Sequence, residues 1–125
     1  MIPELRTGLV VKGKFAGLIV EGKKIWEIRK IPPYVTGTVG VIDGDRDLLL
    51  GTVEITGFLG PFSLNELMKH QDKHHGGRFL IHYAKGNVPL YAWILRNPVK
   101  FSKPLKVKYR EGKAGIAEIL DVGLE

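Results

Sequence analysis

Apolar residues along this chain come in short bursts separated by glycine, proline and charge. Leu9-Val10-Val11 is the first burst and reads as a strand. From Lys14 to Glu21 the spacing becomes helical, with Phe15, Leu18 and Ile19 on one face. Gly22 stands where a helix commonly ends in a left-handed residue. Ile25 to Lys30 reads as a strand, which Pro32-Pro33 stops. Thr38–Asp43 and Leu48–Thr56 read as a hairpin around Asp43-Gly44-Asp45. Ser63-Leu64-Asn65-Glu66 is a capping box, in which the serine side chain and the glutamate each satisfy an orphan backbone donor. Phe62 and Leu67 flank it at the spacing of a hydrophobic staple, and a helix is predicted over 63–74, before Gly76-Gly77. Later strands are predicted at Phe79–Tyr83, Leu90–Leu95, Lys103–Tyr109 and Ala114–Leu120, with Pro98 and Pro104 punctuating the approach. Two helices among six or seven short strands, without a β-α-β rhythm, indicate an α+β fold with a mostly antiparallel sheet or barrel.

Composition narrows the class. A length of 125 residues suits a single domain over 1–125, and 44% apolar residues supply one ordinary core. Disorder is excluded at that hydrophobicity. Aliphatic runs such as Leu18-Ile19-Val20 and Leu48-Leu49-Leu50 are far too short to cross a bilayer. A cytoplasmic protein with no membrane partner is expected. The absence of cysteine removes disulfides, thiolate chemistry and the common structural zinc sites. Basic residues outnumber acidic ones by 19 to 13, a net charge of +6, which favours an anionic partner such as nucleic acid. His70, His74 and His75 crowd the end of the second predicted helix, but no H-E-x-x-H pattern accompanies them. Histidine there suits a helix C-terminus, so neither a metal nor a cofactor is expected. His82 reads as a half-buried strand residue.

The stretch Gly22-Lys23-Lys24-Ile25-Trp26-Glu27-Ile28-Arg29-Lys30 carries the chemistry. Alternate side chains of a strand share a face. Trp26 and Ile28 therefore belong to a core, and Glu27 and Arg29 lie together on the opposite face, within reach of Lys23 and Lys24. A carboxylate paired with the guanidinium would leave lysine free to meet a phosphate. Further along, Lys106, Lys108 and Arg110 alternate, so one strand face is basic. Such a stripe tracks phosphates or protects an edge strand from aggregation. Tyr34, in a loop after Pro33, is the aromatic placed to stack on a base, whereas Trp93 is assigned to the core. The candidate RNA- or nucleotide-binding set is thus Lys12, Lys23, Lys24, Glu27, Arg29, Tyr34, Lys106, Lys108 and Arg110, and an enzyme would use Lys24 and Glu27 as an acid–base pair.

The order of these features resembles the ASCH domain family: a strand at Leu9, a short helix, Gly22-Lys23-Lys24, then Trp26-Glu27-Ile28-Arg29. The resemblance continues through the hairpin with Gly51, the capped helix at Ser63 and Tyr91-Ala92-Trp93. It implies a PUA-like barrel with two short helices and an RNA-binding cleft beside the first helix, lined by Lys24, Glu27 and Arg29. Some relatives hydrolyse acetylcytidine with a lysine, a threonine and a glutamate, and others are linked to RNA cleavage. Lys24 matches that lysine, but the threonine position holds Glu27, and a carboxylate does not replace a hydroxyl nucleophile. The resemblance therefore implies an RNA- or nucleotide-binding module. The alternatives it leaves are a hydrolase acting on RNA or a modified nucleoside, and a protein-interaction domain.

Overall fold

The computed structural model describes residues 5–86 and 88–123. In chain order the elements are β1 (Thr7–Val11), α1 (Gly13–Val20), β2 (Trp26–Arg29), β3 (Gly37–Asp43), β4 (Leu48–Phe62), α2 (Leu64–Met68), α3 (Gln71–His74), α4 (Gly77–Tyr83), β5 (Leu90–Glu111) and β6 (Ile116–Val122). A 3-10 turn over Lys113–Gly115 joins the last two strands. The six strands form one sheet in the order β2-β5-β4-β3-β1-β6, and β5 also pairs with β6. The pairing therefore runs from β5 through β4, β3, β1 and β6 back to β5. Only β1 and β3 are parallel; every other pair is antiparallel. The fold is α+β with a mostly antiparallel sheet. Among the described residues no helix is long and apolar enough to cross a membrane.

The strand pattern of β2 decides where the charges go. Trp26 and Ile28 pack with Leu67, Leu80 and Leu90 in a cluster under α2 and α4. Glu27 and Arg29 face the other way. On that side α1 buries Phe15, Ala16 and Ile19 against Val41, Ile55 and Trp93 in the main core. Trp93 is fully buried and donates its indole N–H to the Ile31 carbonyl at 2.9 Å.

Several elements differ from the sequence reading. Phe79–Tyr83 is helix, not strand, because Leu80 and Ala84, one turn apart, are the residues that enter the core. That places His82 on an exposed helix face. The helix predicted over 63–74 is two helices, broken at His70 (φ −120°, ψ 36°), whose ring packs on Trp26 at 5.1 Å. Its capping box is present, with Glu66 N–H donating to Ser63 Oγ and Ser63 N–H to Glu66 Oε1. The strands predicted at Leu90–Leu95 and Lys103–Tyr109 are parts of one strand of 22 residues. Pro98 and Pro104 do not interrupt it because both lie where the β4–β5 register slips and no ladder donor is needed.

Gly51 sits at the tightest of these crossings, between Val41 on β3 and Lys100 on β5. A Cβ there would lie 2.0 Å from the Val99 carbonyl oxygen, a contact with backbone that cannot swing aside. Gly51→Ala is expected to lower stability by about 3 kcal/mol, as overpacking against backbone does. In urea unfolding the midpoint should fall while the slope stays unchanged.

Candidate functional site

The end of α1 delivers Lys24 to the interior. Gly22, at φ +80°, lets the chain reverse. Its N–H donates to the Ile19 carbonyl and that of Lys23 to Leu18, which is the Schellman arrangement. Lys24 follows at once and is 3% exposed, and Glu27 on β2 is 5% exposed. The Lys24 ammonium pairs with Glu27 at 3.2 Å, donates to the His74 carbonyl, and lies over the Phe15 ring, 4.9 Å from its centre. Arg29 grips the second oxygen of Glu27. Its Nε also donates to the Ala114 carbonyl at 2.8 Å, Nη1 to Ile28 at 3.0 Å and Nη2 to Val10 at 3.3 Å. Gly115 is glycine for the same reason: a Cβ would meet Arg29 Nη2 at 2.8 Å.

This arrangement changes the roles expected of these residues. Lys24 is not a free cation at a helix end; it is committed to Glu27 and to backbone. Burial lowers the proton affinity of its ammonium and Arg29 adds to that, while Glu27 opposes both; the net pKa lies below the ordinary lysine value. Burial alone would raise the Glu27 pKa, but the charges of Arg29 and Lys24 outweigh it and hold the carboxyl below its ordinary value.

Glu27 and Arg29 form the floor of a cavity of about 280 Å³. Phe15, Phe79 and Tyr83 supply aromatic walls, Val10 and Val11 an apolar side, and Lys12 and Glu111 charge. Lys12 Nζ lies 5.6 Å from the centre of the Phe79 ring, close enough for a cation–π contact. Phe79 remains 41% exposed, with its ring 6.2 Å from that of Tyr83 and nearly parallel to it. Tyr83 and Phe79 are the site residues that strand reasoning assigns elsewhere. The signal for them is helical: Gly76-Gly77 break the chain, and Phe79 and Tyr83 recur one turn apart.

The remaining candidates do not gather at this cavity. Lys23 is exposed and pairs with Glu21 at 3.5 Å. Tyr34 is 53% exposed and donates its hydroxyl to the Lys113 carbonyl at 2.8 Å. Lys106 and Lys108 line a different groove with Arg46 and Asp121. Arg110 pairs with Glu118 across the β5–β6 ladder at 2.8 Å. Of the three clustered histidines, His74 is fully buried. Gly76 N–H donates to its Nδ1 at 2.8 Å, so Nε2 carries the proton donated to the Leu67 carbonyl at 2.7 Å. Burial holds its pKa below the ordinary 6.5, as do nearby Lys24, His70 and His75, against the Leu67 hydrogen bond.

Two outcomes follow for stability. Glu27→Gln leaves two buried cations without their carboxylate and is expected to cost about 3–5 kcal/mol at neutral pH. Because the Glu27 pKa is depressed, its stabilisation is present above the ordinary carboxylate range and lost as pH falls through the folded value. The gap between variant and wild type should narrow only below about pH 4, and denaturant titrations across pH read it. For His74, the unfolded chain takes up a proton on acidification before the folded one does. Stability should therefore decline as pH drops below about 6.5, and nitrogen NMR should find the neutral Nε2–H form of His74 persisting to lower pH than in an unfolded control.

The ASCH domain family model matches residues 9–105. Comparison with curated proteins finds no match. Among solved structures, the ASCH protein from Zymomonas mobilis superposes with a TM-score of 0.68 at 18% identity, covering 80% of this chain and 72% of that one. Two mutant forms of the same protein, at 20% and 19% identity, both superpose with a TM-score of 0.67; each covers 80% of this chain, and 72% and 74% of theirs. At such identities the likeness is one of fold, while the family match spans the strand, helix and G-K-K…E-x-R region that builds the buried charge cluster: the chain belongs to the ASCH domain family.

Proposed function

We propose that the cavity over Glu27 and Arg29 binds a nucleotide, free or as an unpaired residue of RNA, without transforming it. The observation that carries this reading is the composition of the cavity: about 280 Å³, aromatic on several sides, with a fixed carboxylate–guanidinium pair below. A planar base offers stacking faces to Phe79 and Tyr83 and hydrogen-bonding edges to the charged floor. Lys12 at the cavity edge suits the phosphate that accompanies the base. The net charge of +6 supports an anionic ligand. Family membership supports RNA as its source. The ring of pairings β5-β4-β3-β1-β6 supports a PUA-like barrel as the frame.

Binding is favoured over chemistry because of how Lys24 is held. A general base needs a lone pair and access to the substrate proton. The Lys24 ammonium is spent on Glu27 and the His74 carbonyl, and the lysine does not line the cavity.

Titration of mononucleotides and of a short single-stranded RNA tests the reading. Both should bind, and RNA affinity should fall steeply with salt because phosphate neutralisation releases counterions. Phe79→Ala should weaken binding by about 1–3 kcal/mol, the worth of one stacked base, and Lys12→Ala by a similar amount. No turnover of acetylcytidine or RNA is expected. Absence of mononucleotide binding at low salt would remove the proposal, and turnover abolished by Lys24→Ala would replace it with catalysis.

A further inference from the structure

A second groove, of about 470 Å³, runs between the turn after α1, the residue Lys73 of α3, and Arg96 to Pro98 of β5. Its charged lining residues are Lys24, Lys73 and Arg96, with no carboxylate among them. The Lys24 ammonium is committed to Glu27, but Lys73 and Arg96 make no ion pair among the described residues. The carboxylate opposite Arg96 on the ladder, Glu54, instead accepts from Asn97 Nδ2 at 2.7 Å. Glu21, near the lip, is taken up by Lys23 and Lys100. The β4–β5 register slips at this point and Asn97 adopts φ +53°, a bulge of the kind that re-aims a side chain. Arg96 is exposed. Apolar side chains share the lining: Leu59 is 42% exposed, and Pro98 is exposed.

Two cations without an ion pair, in a groove that also exposes apolar side chains, fit a phosphodiester chain, whose charges repeat and whose sugars and bases are largely apolar on their faces. The groove is also next to the cavity. Lys24 borders the groove, its partner Glu27 borders the cavity, and the two are in contact at 3.2 Å. We propose that this groove is a second anion site, which takes the backbone of the single strand whose unpaired base occupies the cavity. The assignment of the strand rests on the nucleotide reading of the cavity; the anion site rests on Lys73 and Arg96.

The test compares Lys73→Glu/Arg96→Glu and the neutral pair Lys73→Gln/Arg96→Gln with wild type, in the full chain. The probes are a mononucleotide, an oligouridylate of about ten nucleotides, within the range of single-strand sites, and a polyglutamate competitor. Both side chains reach solvent, so both variants should keep the wild-type Tm. If charge reversal disturbs folding, the neutral pair carries the comparison. Oligouridylate affinity should drop at least tenfold in the reversed variant and less in the neutral one. The slope of log affinity against log salt should lose about 1.4, or about 0.7 for each lost single-strand phosphate contact. Mononucleotide affinity should stay unchanged. Unchanged oligouridylate affinity in both variants would overturn the groove while leaving the cavity reading intact. Loss of oligouridylate affinity without any mononucleotide binding would keep the groove as an anion site and remove the cavity reading. Polyglutamate displacing the oligouridylate at equal charge concentration would overturn nucleic acid as the groove's ligand in favour of an acidic polypeptide.

Discussion

Two cations sharing one buried carboxylate is the constraint around which this chain is built. Moving any of Lys24, Glu27 or Arg29 out of water costs several kcal/mol, and attraction offsets that only when the remaining donors are also satisfied. The surrounding backbone meets that requirement. The His74 carbonyl receives Lys24, and the carbonyls of Val10, Ile28 and Ala114 receive Arg29. Among the described residues no buried side-chain nitrogen or oxygen is left without a partner. The charge cluster thereby ties together β1, α3 and the turn before β6, the last of these 85 residues from Arg29.

The same commitment shapes the site. A guanidinium held by several carbonyls and a carboxylate is a rigid feature of a cavity floor rather than a side chain that reaches for a ligand. Its planar fork suits fixed, multidentate use. What remains adaptable is the rim: Lys12 and the exposed Phe79 ring of α4 beneath it. The helix carrying that ring lies between Gly77 at φ +51° and Gly86 at φ +78°, positions where a side chain would be strained. Rigid charge below and aromatic surface above divide the labour between orientation and affinity.

Local chemistry made much of this legible. The alternation Trp26-Glu27-Ile28-Arg29 is enough to send the aromatic and the isoleucine to one core and the charges to the other face, because the period of a strand is set by its backbone. Ser63 and Glu66 announce a helix start because a capping box is satisfied within four consecutive residues. Gly22 marks the end of α1 because only a short-range reversal is involved. These are local hydrogen bonds and local periodicities, and they read correctly one segment at a time.

Tertiary packing decided the rest. Phe79 to Tyr83 carries side chains acceptable to either strand or helix; Leu80 and Ala84 meeting Leu67 and Trp26 selects the helix and brings Phe79 and Tyr83 over the charges. Pro98 and Pro104 look like strand ends in isolation, yet slips in the partner register let β5 run through both. The charge pattern named Lys24, Glu27 and Arg29 as neighbours, but burial turned Lys24 from an available cation into half of an ion pair. The same packing left Lys73 and Arg96, which no local pattern joins, facing one groove. Burial and convergence depend on which distant segments share a surface, so they belong to the assembled sheet rather than to any stretch of sequence.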